Sequence, residues 1–126
     1  MSFRVRSLLL ISSILLANVA FAENEDYKYL EGTWGWGNCE DSLHRISFSP
    51  NKEFLKFESG GLPNYYFIDG PTSKGLKVVL LEEKRLDDAG NPVFWYIVSK
   101  DNNTYYWLRS DRHQDDLRGP IKRCKK

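Results

Sequence analysis

Ser110-Asp111-Arg112-His113 places a hydroxyl, a carboxylate and an imidazole within four residues, the ingredients of acyl-transfer chemistry. Catalytic triads are assembled in space rather than along the chain, so this run reads first as a polar loop. Asp87-Asp88 and Asp115-Asp116 are paired carboxylates, but neither has the spaced oxygens of a calcium loop, and both read as solvated turns. Glycoside hydrolysis needs only two carboxylates that meet in space, an option the sequence leaves open. The two histidines, His44 and His113, are isolated from any paired-ligand spacing for zinc. The expectation is therefore a protein that is not an enzyme, with no catalytic residues, no metal and no cofactor.

Binding is better served than catalysis. Val93–Ser99 and Thr104–Arg109 are runs of β-branched and aromatic residues joined by Lys100-Asp101-Asn102-Asn103, which predicts a β-hairpin. With a loop of two or four residues, pairing parity puts Val93, Trp95, Ile97, Tyr106 and Leu108 on one face. Phe94, Tyr96, Val98, Tyr105, Trp107 and Arg109 then share the other. Four of those six carry a polar handle on a large apolar body, as expected of a contact surface. Tyr96, Tyr105, Trp107 and Arg109 are the candidate binding residues, being types enriched at the energetic centres of interfaces. The competing reading makes both faces core, with Asp111–Gly119 covering the second. An odd-numbered loop would scramble the grouping.

The elements around this hairpin are also strands. Gly32–Gly37 reads as the first, and His44–Phe48 alternates with Ile46 and Phe48 inward. Ser49-Pro50-Asn51-Lys52 turns into Glu53–Glu58. Ser59–Asn64 reads as a flexible connection, Tyr65–Asp69 as a strand and Gly70–Gly75 as a breaker. Leu76–Arg85 follows, apolar on both faces in its middle. Asp111–Gly119 has room for a short helical turn, and Ile121–Cys124 for an edge strand. About seven to eight short strands with no three-turn helix and no repeat predict an all-β fold, a small antiparallel up-and-down barrel or a sandwich.

Arg4 and Arg6 precede the apolar stretch Leu8–Leu16, and Ala20-Phe21-Ala22 presents small residues where a signal peptidase reads. Residues 1–22 are the expected signal peptide, and 23–126 a single β-barrel domain, exported to the periplasm or secreted. The apolar stretch is too short to span a bilayer, and no cysteine follows the cleavage point, so no membrane anchor is expected. Removing 22 of 126 residues leaves 104, with 16 basic residues against 17 acidic ones. That near-neutral balance withdraws the electrostatic argument for nucleic acid. The exception is the tail, with five cations over Arg118–Lys126. It reads as solvated. Cys39 and Cys124 in an oxidising compartment predict one disulfide, whose loop closure contributes on the order of 4 kcal/mol in the chain-entropy model. The sequon Asn102-Asn103-Thr104 falls in the hairpin turn, where Asn-Asn is explained by tolerance of positive φ.

Gly32-Thr33-Trp34, close to the expected mature N-terminus, resembles the Gly-x-Trp opening of the calycin superfamily, the lipocalins and avidins. The resemblance implies a barrel with Trp34 as a buried structural plug at one end. It also implies, as in lipocalins, an arginine from the C-terminal part of the fold packed on that tryptophan, a role for Arg109 or Arg123. The leading expectation is a non-enzymatic, calycin-like carrier of a small apolar ligand. The alternative is a protein–protein interaction module, such as an inhibitor of a secreted hydrolase, whose partner is another secreted protein. Oligomeric state is not readable from the chain.

Overall fold

The structure, a computed structural model, describes residues 27–40 and 42–125. The expected signal peptide, residues 1–22, lies outside them. Eight strands follow in order: β1 (Gly32–Trp36), β2 (Leu43–Phe48), β3 (Phe54–Ser59), β4 (Leu62–Thr72), β5 (Gly75–Leu80), β6 (Trp95–Asp101), β7 (Thr104–Arg109) and β8 (Arg118–Lys125). Each pairs antiparallel with the next, and β8 returns to β1 with Trp34 opposite Arg123 and Trp36 opposite Ile121. The sheet is thus a closed barrel, with neither a free edge nor a second sheet. Cys39 and Cys124 form the expected disulfide, Cα atoms 5.7 Å apart, across the closing seam.

Alternation in the sequence becomes inside and outside. His44 and Ile46 point inward while Leu43 and Arg45 are exposed, and Leu55, Val78, Ile97, Tyr105 and Ile121 join them in one buried core. Several boundaries differ from expectation. Gly60 and Gly61, at φ of 60° and 79°, close a two-residue turn between Ser59 and Leu62. Only glycine takes two such dihedrals without strain, so the expected flexible connection is a tight hairpin, and β4 runs on through Pro63 and Pro71. β5 ends at Leu80, leaving residues 81–94 as a long loop, and β8 begins at Arg118 and is paired on both sides rather than being an edge. Between β7 and β8 the chain makes turns, closed by Arg112 N–H to Arg109 O and Asp116 N–H to His113 O, and no helix.

The central hairpin corrects the facial grouping. Its turn is the two residues Asn102-Asn103, but a β-bulge at Lys100 shifts the register, so that Ser99 faces Tyr105, Ile97 faces Trp107 and Trp95 faces Arg109. One extra residue reverses the side on which every earlier residue of β6 projects. Trp95 and Ile97 therefore point into the barrel with Tyr105, Trp107 and Arg109. Tyr96, Val98, Tyr106 and Leu108 lie outside, where Leu108 is buried beneath Gln114 and Leu117 of the following loop.

One end of the barrel is plugged. A single 3₁₀ turn, Lys28–Leu30, crosses it and accepts at the Leu30 carbonyl the indole N–H of fully buried Trp34, 2.8 Å away. Arg123 is the stacking arginine. Its guanidinium sits 4.3 Å from the Trp34 ring centroid and donates to the carbonyls of Tyr29, Glu31 and Asn102 and to Asn103 Oδ1. On the outer side of β1, the segment after Trp36 folds back so that a Cβ on Gly35 would lie 1.8 Å from the Asn38 carbonyl oxygen. Only glycine fits there.

Candidate functional site at the open mouth

The opposite end carries the loops β1–β2, β3–β4, β5–β6 and β7–β8, and among the described residues no segment crosses it as the 3₁₀ turn crosses the other. Its floor is Trp107. The ring centroids of Phe57, Tyr66, Trp95 and Tyr105 lie 5.9, 5.7, 5.9 and 6.0 Å from it, mostly tilted or edge-on. Those spacings are the favourable range for aromatic pairs. Below the floor the barrel is filled: His44 stacks on Phe57 at 4.4 Å, and Tyr105 packs edge-on to Trp34 at 4.8 Å. Above it lies a cavity of about 260 Å³ lined by Trp36, Phe57, Tyr66, Trp95, Trp107 and Arg118. Trp36 forms part of its wall while 45% exposed.

Beside this apolar chamber opens a charged one of about 220 Å³, which shares Trp95 and Arg118 and adds Arg109, Arg112 and Asp116. Three mouth segments bring an arginine and a carboxylate two residues apart. In the first, Glu83 takes Arg85 Nε and Nη2 at 2.6 and 2.9 Å, with the carboxylate side chain only 4% exposed. These bonds hold the Glu83 carboxyl down at about 2, and the Trp95 indole N–H leans toward the same carboxylate without reaching hydrogen-bond geometry. In the second, Arg109 grips Asp111 at 2.9 and 3.1 Å. In the third, Arg118 lies 3.5 Å from Asp116. Burial, reinforced by the Glu83 charge, pushes the Tyr66 hydroxyl up to about 12, so it stays a neutral donor at the cavity wall.

Deeper in, His44 Nε2 and the Tyr105 hydroxyl are 2.6 Å apart. Desolvation lowers His44 to about 4, with a backbone hydrogen bond at Ser42 opposing the shift. The ring is neutral at pH 7, and with its other nitrogen turned to Ser42 it accepts the Tyr105 proton at Nε2. Burial raises Tyr105 well above its ordinary value. The pair satisfies two buried polar groups, and neither residue lines the cavity.

No family model, curated protein or solved structure matches the chain.

Of the four candidate binding residues, Tyr105, Trp107 and Arg109 share the interior: Trp107 and Arg109 line the mouth, and Tyr105 supports the floor from below. Tyr96 is the correction. The Lys100 bulge turns it outward, against Phe94 at 5.5 Å and beneath Lys74. Ser110, Asp111 and His113 do not converge: Ser110 Oγ accepts the Phe94 N–H, Asp111 holds Arg109, and His113 sits 3.3 Å from Asp115 with a largely exposed ring. Asp87 is occupied by the turn, its Oδ1 accepting the N–H groups of Ala89 and Asn91. Among the described residues no three His, Cys, Asp or Glu side chains gather as metal ligands, and no helix is long and apolar enough to cross a membrane. Trp36, Phe57, Tyr66, Trp95, Arg112 and Arg118 were not legible as site residues. Of these only Arg118 carries a sequence signal, its spacing of two residues from Asp116, which repeats that of Glu83 with Arg85 and of Arg109 with Asp111.

Proposed function

We propose that this chain is an exported, non-enzymatic binding protein, a calycin-like barrel that carries a small apolar ligand at its mouth. The observation that carries the reading is the aromatic chamber over Trp107, whose wall includes the half-exposed Trp36. Exposed aromatic area around a concave floor is costly in water and is covered when a flat apolar molecule enters. Because His44 stacked on Phe57 and Tyr105 packed on Trp34 fill the barrel directly beneath the floor, the ligand sits in the cup rather than in a hollow core. Further support for a calycin-like fold comes from the Arg123–Trp34 stack, the packing implied by the resemblance at Gly32-Thr33-Trp34. The disulfide suits an oxidising, extracytoplasmic compartment.

Native mass spectrometry of protein purified from its own host is the test. A retained small molecule that is lost in Trp36→Ala, with the melting temperature unchanged, is the expected result. Protein that emerges empty and takes up no naphthalene-sized probe ends the carrier reading. The interaction-module reading has its own observation, the exposed Leu62, Tyr65, Phe67 and Leu81 on and beside β4. A co-purifying protein in the same spectrum would favour it.

A further inference from the structure

The apolar chamber has a charged neighbour, and the two meet at Trp95 and Arg118. We infer that the ligand is an amphipathic monoanion, a flat-ringed carboxylate whose body lies on Trp107 while its carboxylate enters the arginine chamber. The inference rests on the carrier reading above and adds the charge and orientation of the ligand.

The argument begins with how each guanidinium is used. Arg85 is committed to Glu83 through two short hydrogen bonds, and Arg109 to Asp111 through one hydrogen bond from Nη2 and an ion pair at Nε. Arg112 and Arg118 are not. Arg112 approaches Asp111 only at 3.9 Å, and that carboxylate already serves Arg109; Arg118 meets Asp116 with a single contact at 3.5 Å. Their side chains are 50% and 63% exposed. The chamber therefore gathers Arg109, Arg112 and Arg118 against Asp111 and Asp116, one positive charge in excess, with most of two guanidinium forks unspent. Glu83, the acid beside Trp95, is neutralised by Arg85 and adds no net repulsion. A carboxylate matches an arginine fork in shape as well as charge. Low-dielectric aromatic walls on one side strengthen such a pair relative to the same pair in open water. An uncharged ligand of the same shape would fill the cup and leave the fork solvated.

The probes are 2-naphthoate and its uncharged isostere 2-naphthamide, titrated at low salt and followed by NMR through the four tryptophan indole N–H signals. The acid should bind at least about tenfold more tightly than the amide, as expected for a charge-assisted fork, and the gap should narrow as salt screens it. Trp36, Trp95 and Trp107 should shift while buried Trp34, at the plugged end, stays still. In Arg118→Gln and Arg112→Gln the preference should fall to within about threefold, the scale of a lost surface charge contact, through weaker binding of the acid. Equal binding of acid and amide by the wild-type protein overturns the inference and leaves the carrier reading standing. Binding of neither overturns both. An acid preference that survives both substitutions places the anion elsewhere and also overturns it.

Discussion

Both ends of the barrel set an arginine over a tryptophan, and the two arginines do opposite things. At the plugged end Arg123 stacks on Trp34 and gives its N–H groups to backbone carbonyls of the 3₁₀ segment and of the β6–β7 turn, together with Asn103 Oδ1. Those acceptors are fixed by the chain itself, so the cation is spent on architecture. At the mouth Arg85 lies 5.2 Å from the Trp95 ring but is held by Glu83, a side chain two residues away, and the neighbouring Arg112 and Arg118 are held still more loosely. The same residue type can lock a fold, as Arg123 does, or remain ready for a visitor, as Arg112 and Arg118 do. What decides is whether the guanidinium meets carbonyls that cannot move or carboxylates that can.

The contrast can be broken most forcefully at Trp34. Truncating a fully buried tryptophan costs about 3–5 kcal/mol, so Trp34→Ala should lose its cooperative melt by circular dichroism or fail to accumulate. A variant melting within a few degrees of wild type would refute the plug. Next comes the arginine pair. Arg123→Gln strands several carbonyls and should cost about 2–3 kcal/mol, roughly 10 °C or more in Tm for a domain of this size. Arg118→Gln should stay within about 0.5 kcal/mol, as exposed sites do. Equal Tm losses in the two would erase the distinction between the ends.

A pH-dependent effect is set by His44, between the plug and the floor. Its native value near 4 lies below the ordinary 6.5, so on acidification the unfolded chain takes up a proton that the native state refuses. Stability should fall as pH drops through that window, by about 2 kcal/mol between pH 7 and 5, and urea midpoints at the two pH values would measure it. In His44→Gln, which keeps a polar partner for Tyr105 but cannot titrate, the difference should shrink to a few tenths of a kcal/mol. A slope unchanged by the substitution would assign it to other groups.

The architecture was largely legible because it rests on alternation. His44–Phe48 read as a strand from its period of two, Glu53–Glu58 from the turn before it and Leu76–Arg85 from its apolar run, and the disulfide was expected from two cysteines behind an expected signal peptide. The mouth was less legible, for two reasons. A bulge is a one-residue event, and nothing in Lys100 marks it, yet it decides whether Trp95 joins Trp107 or Tyr96 does. The cup also draws its wall from six strands or strand ends, with Trp36, Phe57, Tyr66, Trp95, Trp107 and Arg118 far apart in the chain. Such a set converges only once the barrel has closed. Choosing Arg123 over Arg109 for the Trp34 stack needed the same knowledge, since both arginines are interior and only position along the barrel separates them.

The closing seam has a consequence for the order of assembly. Every strand joint but one links neighbours in the chain, and only β1 with β8 spans nearly the whole sequence. A meander of this kind can zip hairpin by hairpin through short-range contacts, leaving nearly all of the topological difficulty to one last encounter between its two ends. The bridge from Cys39 to Cys124 sits on that encounter. Once formed, it keeps the two terminal strands within reach through any later unfolding. The chain then needs to make its slow long-range search only once.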